Sequence, residues 1–270
     1  MVLNSVITNI EQSHSGIWEN KNLTKVSYTE NGHNLIQESE EHSFWFSHRL
    51  ESLKLLFEKY PTKTLFDIGG GNGEVSIFLQ NNDINCTLIE PGIEGAMNAH
   101  KKGVNSVIHA SFMELDIKDN SIHAIGLFDV LEHIEKDQEF LNKVYRNLEP
   151  NGKLYLTVPA LPFLFSEFDK EVGHFRRYTL SELSRKFEKS GFKINYKTYL
   201  FSLLPLPILI VRIFYSLIKR PEKRRKFGHL NKTSILGFCL NKALKLEHYF
   251  IQRGYKIPIG SSCLVVAEKI

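Results

Sequence analysis

Short apolar runs alternate with amphipathic stretches between residues 64 and 158 of the chain. The apolar runs are typical of buried strands, whereas the stretches at residues 74–80, 93–102 and 136–148 have the spacing of helices that bury one face. Such alternation predicts βαβ units around a mostly parallel sheet. The predicted fold is therefore α/β and doubly wound, with helices on both faces of the sheet.

Seven strands are predicted, and the last two lie beyond the alternating region. Thr179 and Glu182 form a capping box at the start of a further helix, and Gly191 marks its end. A strand follows this helix, and the last strand comes after an insertion of about sixty residues. The predicted strand segments are TLFDIG, NCTLIE, SVIHA, AIGLFDV, GKLYLTVP, FKINYKTY and SCLVVAEK.

The same pattern divides the chain into four regions. Residues 1–60 hold a polar segment without a readable pattern, followed by an amphipathic helix with an aromatic start, EHSFWFSHRLESLKLLFEKY. Residues 61–198 form the predicted core, and residues 199–258 form an apolar and basic helical insertion. Residues 259–270 return as the final strand of the core sheet.

Composition narrows the class of protein. With 270 residues, of which 42% are hydrophobic and 24% charged, the chain can bury a core and is neither disordered nor a disulfide miniprotein. The three cysteines form no CxxC pair, and the first residues do not resemble a cleaved signal peptide. We therefore expect a cytoplasmic protein.

Positive charge is concentrated in one segment, KRPEKRRK (219–226), whose net charge is +5. Because the whole chain has a net charge of +4, the other residues sum to −1. A nucleic-acid groove usually spreads basic residues over a whole face, so no nucleic-acid partner is expected. The segment directly follows an apolar stretch, which favours a local anchor, and peripheral contact with a membrane is one alternative.

The string FDIGGGNGE lies at the end of the first core strand and the start of the next helix. Asp67, Gly69, Gly71 and Gly73 make the pattern D-x-G-x-G-x-G, in which glycines allow a tight turn and close approach of a ligand. A dinucleotide fingerprint would require glycine at position 74, which is glutamate, and no Walker A lysine follows. A nucleoside without phosphates that carries an ammonium group, opposite Asp67, suits this loop better.

The acidic residue of the second core strand supports the same interpretation. Glu90 ends the strand NCTLIE seventeen residues beyond Gly73, where a carboxylate can accept hydrogen bonds from both ribose hydroxyls. The alternative is that the glycines only make a turn and that the two acids only cap helices. The order of strand, loop, helix, strand and acid favours a nucleoside site.

Residues 64–158 resemble a class I S-adenosylmethionine-dependent methyltransferase, in the motifs FDIGGGNG, LIEP and LDIKDNSIHAIGLFDVLEHI. The resemblance implies a Rossmann-like fold and S-adenosylmethionine as the cofactor, with S-adenosylhomocysteine as its product. Ser111 stands where many members have an aspartate, and His123 replaces another frequent aspartate. The cofactor-binding residues that the resemblance implies are Asp67, Gly69, Gly70, Gly71, Gly73, Glu90, Pro91, Ser111, Phe112, Phe128 and Asp129.

Three further segments, EEHSFWFSHR, SEFDKEVGHFRRYTLSEL and IPIGSSCLVVAEK, resemble a bacterial subgroup of these enzymes often linked to cell-surface glycan or lipid pathways. This resemblance implies a small-molecule, lipid or lipid-linked glycan acceptor. The helix that carries Trp45 and Phe46 is then either a lid over the cofactor or ordinary aromatic core packing.

Candidate chemistry lies at the carboxyl edge of the sheet, where open α/β folds bind ligands. His133 and His174 are candidate general bases, which favours a hydroxyl oxygen as the acceptor atom. Arg176, Arg177 and Tyr178 are candidates for binding an anionic acceptor group, with surface ion pairs as the alternative for the arginines.

A divalent metal is a further alternative at this edge. Asp129, Glu132 and His133 resemble the metal ligands of ubiquinone-type O-methyltransferases and small-RNA end methyltransferases, although those enzymes have glutamate in the first position. Methyltransferases without metal often carry the same Glu-His pair, and Glu132 could equally cap the following helix. We therefore do not favour a metal on the sequence alone, and leave the metal ligands unassigned.

The apolar insertion YLFSLLPLPILIVRIFYSLI (199–218) is nearly long enough for a membrane span of about 20 residues. Pro205 and Pro207 would break a spanning helix early, and Arg212 would sit in its apolar half at a cost of about 3 kcal/mol. The insertion is instead predicted to be a cap over the acceptor site or an interfacial helix. The alternative to an enzyme is a non-catalytic module that binds S-adenosylmethionine or scaffolds a pathway.

Overall fold

The computed structural model describes residues 3–21, 44–206, 208–210 and 235–270. Nine strands occur in these ranges: β1 (Ile10–Gln12), β2 (Trp18–Asn20), β3 (Thr64–Ile68), β4 (Asn85–Glu90), β5 (Ser106–His109), β6 (Ile122–Phe128), β7 (Leu148–Pro159), β8 (Phe192–Leu200) and β9 (Ser262–Lys269). The α-helices named below are α1 (Leu3–Val6), α2 (Phe44–Lys59), α3 (Glu74–Gln80), α4 (Ile93–Lys101), α5 (Asp137–Asn147), α6 (Glu167–Glu171), α7 (Leu180–Ser190) and α8 (Ile235–Arg253).

The strands form one sheet in the order β1-β2-β5-β4-β3-β6-β7-β9-β8. Strands β3 to β7 run parallel, whereas β9 lies antiparallel between β7 and β8. The chain reverses its winding direction at β3, whose neighbours are β4 on one side and β6 on the other. Ligands of open α/β sheets bind outside the carboxyl ends of the strands at such a switch point. The predicted Rossmann-like, mostly parallel fold is confirmed.

The predicted number of seven strands is wrong, because the described residues contain nine. All seven predicted segments are strands, and the two additional ones, β1 and β2, form an antiparallel hairpin near the start of the chain. Strand β2 pairs in parallel with β5, through Trp18 and Ile108. Each added strand has only three residues, which is too short to show an alternating pattern in the sequence.

Side chains of the last strand show how the two faces of the sheet are covered. Cys263 and Val265 belong to a buried cluster that contains Phe140 of α5 and Phe187 of α7. Leu264 and Val266 belong to a second cluster, which contains side chains of α2, α3 and α8. Because successive strand residues point to opposite faces, the helices cover both sides of the sheet, as the doubly wound prediction requires.

Helix α2 is fixed to the end of β8 and to α8 by aromatic and polar contacts. The rings of Trp45 and Phe201 stack with their centroids 3.7 Å apart. His48 lies 2.9 Å from the Glu247 carboxylate, which also accepts the backbone N–H of Phe201 at 2.8 Å. The aromatic start of α2 is therefore part of the packed structure, and its role as a cofactor lid remains a prediction.

Much of the predicted insertion lies outside the described residues, including Arg212 and the basic segment 219–226. At the start of the insertion, Leu203, Leu206 and Ile210 are more than half exposed. Within the described ranges, no helix combines the length and the apolar character that crossing a membrane would require.

Candidate functional site

The glycine loop between β3 and α3 has three glycines with positive φ: Gly69 (70°), Gly71 (54°) and Gly73 (84°). A Cβ atom at Gly69 would lie 2.8 Å from the Val130 side chain, and one at Gly73 would lie 2.8 Å from Ala99. A Cβ atom at Gly71 would meet no described atom within 4 Å. Gly69 and Gly73 thus allow tight internal packing, while Gly71 faces open space that a ligand can occupy.

Glu90 connects β4 to this loop. Its carboxylate is 3% exposed and accepts the backbone N–H groups of Gly71 at 2.9 Å and Gly92 at 2.8 Å. A carboxylate offers about four acceptor positions, so these bonds are compatible with the predicted bonds to ribose hydroxyls. The ribose contact remains a prediction, and the structure adds that Glu90 supports the glycine loop itself.

Asp67 lies beneath the loop and is only 1% exposed. Its Oδ2 atom accepts a hydrogen bond from the Ser76 hydroxyl at 2.7 Å. Burial raises the pKa of the Asp67 carboxyl to about 6, although the Ser76 bond and the nearby Arg49 charge oppose this shift. In this arrangement Asp67 fixes the start of α3, and the expected contact with a cofactor ammonium group remains a prediction.

Asp129 follows β6 in a left-handed conformation with φ at 58°, which is rare for a residue other than glycine. Its Oδ1 atom accepts the Thr157 hydroxyl at 3.0 Å, and its Oδ2 atom forms an ion pair with Arg49 of α2. Arg49 is 8% exposed and lies over the Phe46 ring at 5.1 Å. Strained residues that are held from several sides are typical of functional sites.

The remaining predicted cofactor residues differ in accessibility. Phe112 is 3% exposed and packs in the core, with its ring 5.3 Å from the Phe140 ring. Phe128 is also buried, whereas Pro91 and Ser111 are half-buried. Pro91 and Ser111 are therefore the more accessible of these predicted contacts.

Glu132, His133 and His174 come together directly after β6. Each offers one ligand atom, and these atoms all lie within 4.8 Å of one another. The His133 and His174 rings meet edge to face with centroids 4.7 Å apart. Burial and the His174 charge lower the pKa of His133 to about 4, which leaves its imidazole neutral at pH 7. The two histidines predicted as bases are thus neighbours.

His174 and Arg177 share one partner, the fully buried Asp169 of α6. His174 Nδ1 lies 3.1 Å from Asp169 Oδ1, and Arg177 donates to the same oxygen at 2.7 Å. Because the carboxylate is an acceptor, this contact favours the His174 tautomer that carries its proton on Nδ1, and Nε2 points away from Asp169.

The three residues predicted to bind an acceptor make internal contacts. Arg176 pairs with Asp137 at 2.9 Å, and the Tyr178 hydroxyl donates to the same carboxylate at 2.9 Å. Tyr178 is 1% exposed. These contacts hold the 174–178 segment against α5, and the Arg177–Asp169 pair holds it against α6. Acceptor binding by Arg176, Arg177 and Tyr178 remains a prediction.

Arg49 and Asp169 are site residues that the sequence pattern does not reveal. Arg49 appears in the sequence only as one polar position of an amphipathic helix, and its partner Asp129 is 80 residues away. Asp169 precedes His174 by five residues. This closeness to a candidate histidine is the sequence feature that could have indicated Asp169 as a site residue.

The fold and the site define an open α/β protein that presents a glycine loop and an acid–histidine cluster at the carboxyl ends of its strands. The sequence model for the methyltransferase domain matches residues 38–197, which is more than half of the chain. The chain therefore belongs to the methyltransferase-domain family.

Relatives and solved structures agree with this assignment. A probable S-adenosylmethionine-dependent methyltransferase of Mycolicibacterium smegmatis is 22% identical over 160 residues, covering 57% of this chain and 62% of that protein. The ubiquinone/menaquinone biosynthesis C-methyltransferase UbiE of a Ruegeria species is 27% identical over 103 residues, or 35% of this chain and 41% of that one. This chain thus spans less than two thirds of either relative.

Among solved structures, phosphoethanolamine N-methyltransferase 2 of Haemonchus contortus, in complex with S-adenosyl-L-methionine, superposes with a TM-score of 0.57 at 18% identity. The superposition covers 93% of this chain and 61% of that one. At this identity the likeness shows that the two proteins share a fold.

Proposed function

We propose that this protein transfers the methyl group of S-adenosylmethionine to a hydroxyl oxygen of a small-molecule, lipid or glycan acceptor. The observation that carries the proposal is the glycine loop, in which Gly71 faces open space while Glu90 holds its N–H group at 2.9 Å. The loop follows β3, and the acid–histidine cluster follows the adjacent strand β6, so a cofactor on the loop would lie near that cluster. Family membership and the S-adenosylmethionine-bound structural neighbour support the cofactor assignment.

In methyl transfer, the enzyme contributes mainly by orienting the acceptor and the cofactor, and no covalent enzyme intermediate is needed. The sulfonium group of the cofactor activates the methyl carbon, so holding the acceptor oxygen in line with it supplies much of the rate gain. A hydroxyl acceptor must also lose its proton. In the protein without a bound metal, His174 is a suitable acceptor for that proton. Asp169 fixes the tautomer of the ring, so that Nε2 can accept the proton.

Exposed apolar side chains beside the cluster support an acceptor with an apolar part. Phe175 directly follows His174 and is 52% exposed, and Phe163, in the loop after β7, is 64% exposed. Leu203 and Leu206 at the start of the insertion are also exposed. A lipid or lipid-linked glycan fits these surroundings. The proposal therefore includes a cytoplasmic location and peripheral contact with a membrane surface.

The similar proteins differ in the atom that they methylate, because the Haemonchus contortus protein is named an N-methyltransferase and UbiE a C-methyltransferase. The acceptor atom of this protein is therefore tested by experiment. Purified protein is incubated with methyl-labelled S-adenosylmethionine and with lipid, glycan and small-molecule extracts. We expect label in an alkali-stable product that mass spectrometry identifies as a methyl ether. A methylated amine or carbon would refute the oxygen assignment.

Calorimetry with S-adenosylhomocysteine and NAD tests the cofactor independently of the acceptor. We expect micromolar binding of S-adenosylhomocysteine, weakened in Glu90→Ala, and no binding of NAD. Tight binding without transfer to any extract would favour the non-catalytic alternative. Equal recovery of the protein from the soluble fraction with and without anionic liposomes would contradict membrane contact.

A further inference from the structure

We propose that Glu132, His133 and His174 bind a divalent transition-metal ion beside the proposed acceptor site. Binding of the ion follows from the arrangement of these side chains, whereas its use in catalysis rests on the proposed function.

Glu132 supplies the first argument, because its surroundings suit a bound cation. The residue is fully buried, and neither carboxylate oxygen has a hydrogen-bond partner among the residues that the structure describes. A buried carboxylate without a partner is costly, and such groups are normally paired or bound to a metal. Its Oε1 atom lies 4.0 Å from His174 Nε2, so the carboxylate points toward the imidazoles.

The separation of the ligand atoms is the second argument. Two imidazole nitrogens and one carboxylate oxygen lie within 4.8 Å of one another. Atoms bound to one zinc-like ion at about 2.0–2.2 Å are roughly 3–4 Å apart. Side-chain rotations that move each atom by about 1 Å inward would complete the coordination, with no change in the backbone.

A second layer of contacts around the cluster also suits a bound metal ion. Metal-binding histidines usually donate their other ring N–H to a carboxylate, which fixes the ring and its tautomer. His174 has this arrangement, since its Nδ1 atom bonds Asp169, which in turn accepts bonds from Arg177 and from the Ser166 backbone. The His174 Nε2 lone pair is thereby directed at the proposed ion.

The type of ligand determines which ions fit. Two imidazoles with one carboxylate suit zinc, cobalt, manganese or iron(II), whereas magnesium and calcium prefer sites made only of oxygen. Three protein ligands leave at least one position open. A hydroxyl bound at the open position would have a lower pKa and would release its proton to solvent water, since both imidazoles would be occupied as ligands in the metal-loaded protein.

Metal binding is measured on the full-length, tag-free chain in the absence of methyl donor and acceptor. The protein is freed of metal by chelation and titrated with Co²⁺, whose visible spectrum reports nitrogen and oxygen ligands. Zn²⁺ then competes, and elemental analysis after gel filtration counts the bound ions. We expect about one Zn²⁺ per chain and displacement of Co²⁺ by Zn²⁺.

Variants distinguish this cluster from adventitious binding by the other nine of the chain's 11 histidines. Glu132→Gln and His174→Asn should each weaken Co²⁺ binding by at least tenfold, and Asp169→Asn by about 10–100-fold. His123→Asn is the matched control, because its side chain is 60% exposed and pairs with Glu149 instead. Thermal unfolding without metal identifies any variant that fails to fold.

The proposal is overturned if wild-type protein retains no Zn²⁺, or if binding survives unchanged in folded Glu132→Gln and His174→Asn. Failure of methyl transfer would leave these metal measurements intact, and loss of the metal site would leave the cofactor calorimetry intact. The two proposals can therefore fail separately.

Discussion

The open space in front of Gly71 allows the stability and the cofactor affinity of the variant Gly71→Ala to be predicted. The added methyl group meets no described atom within 4 Å, so the cost to folding is confined to the positive φ of 54°. A left-handed conformation costs an L-residue about 1–2 kcal/mol. For a chain of this size, about 1 kcal/mol lowers the melting temperature by roughly 2–4 °C.

The same methyl group would enter the space proposed for the cofactor. We therefore expect calorimetry to show at least a tenfold loss of affinity for S-adenosylhomocysteine, or about 1.4 kcal/mol. Gly103→Ala is the matched control, because Gly103 has φ at 93°, an equally open Cβ position and a location after α4. This control should lose at least as much stability and keep the wild-type affinity.

Gly73→Ala provides the opposite contrast. Its methyl group would lie 2.8 Å from Ala99, so overpacking adds about 1–3 kcal/mol to the left-handed cost. Thermal unfolding should therefore show a larger loss of stability for Gly73→Ala than for Gly71→Ala. If Gly71→Ala retains wild-type affinity, or if Gly103→Ala loses affinity equally, the assignment of the open space to the cofactor is refuted.

Three other predictions concern the acids around the loop. Glu90→Gln removes one of the two acceptors for the Gly71 and Gly92 N–H groups, so S-adenosylhomocysteine should bind about tenfold more weakly in calorimetry. Arg49→Met and Asp129→Asn should show a coupling of about 1–3 kcal/mol in a double-mutant cycle by urea unfolding, and additive effects would contradict the ion pair. The pKa of Asp67 is raised in the folded protein from 3.8 to about 6, so protonation favours folding and stability from this group is lost as pH rises through that range. Asp67→Asn should therefore flatten the fall in unfolding free energy between about pH 4 and 6, and an unchanged slope would contradict the shift.

The sequence was sufficient to predict the core of this fold because its signals are local. Buried strands such as β4 are continuous apolar runs, and the positive φ angles at Gly69, Gly71 and Gly73 require residues that the motif displays directly. The capping box of Thr179 and Glu182 is likewise contained in four residues, and it is present in the structure.

Contacts between distant segments could not be predicted in this way. The strands of the β1–β2 hairpin are too short for a pattern, and they gain stability by pairing with β5 about 90 residues later. Arg176 and Arg177 look in the sequence like an exposed anion clamp, yet Asp137 and Asp169 already pair with them. Which partner a charge finds depends on the packing of loops that the residue pattern does not encode.

The position of β9 between β7 and β8 has a consequence for how the protein reaches its folded state. The facing edges of β7 and β8 have no strand between them until residues 262–269 have been synthesised, some sixty residues after β8 ends. Closing so long a loop slows folding, and unpaired edges are sites of aggregation in the meantime. Variants that weaken β9 should therefore lower the yield of refolding at high protein concentration before they lower the stability of the finished molecule.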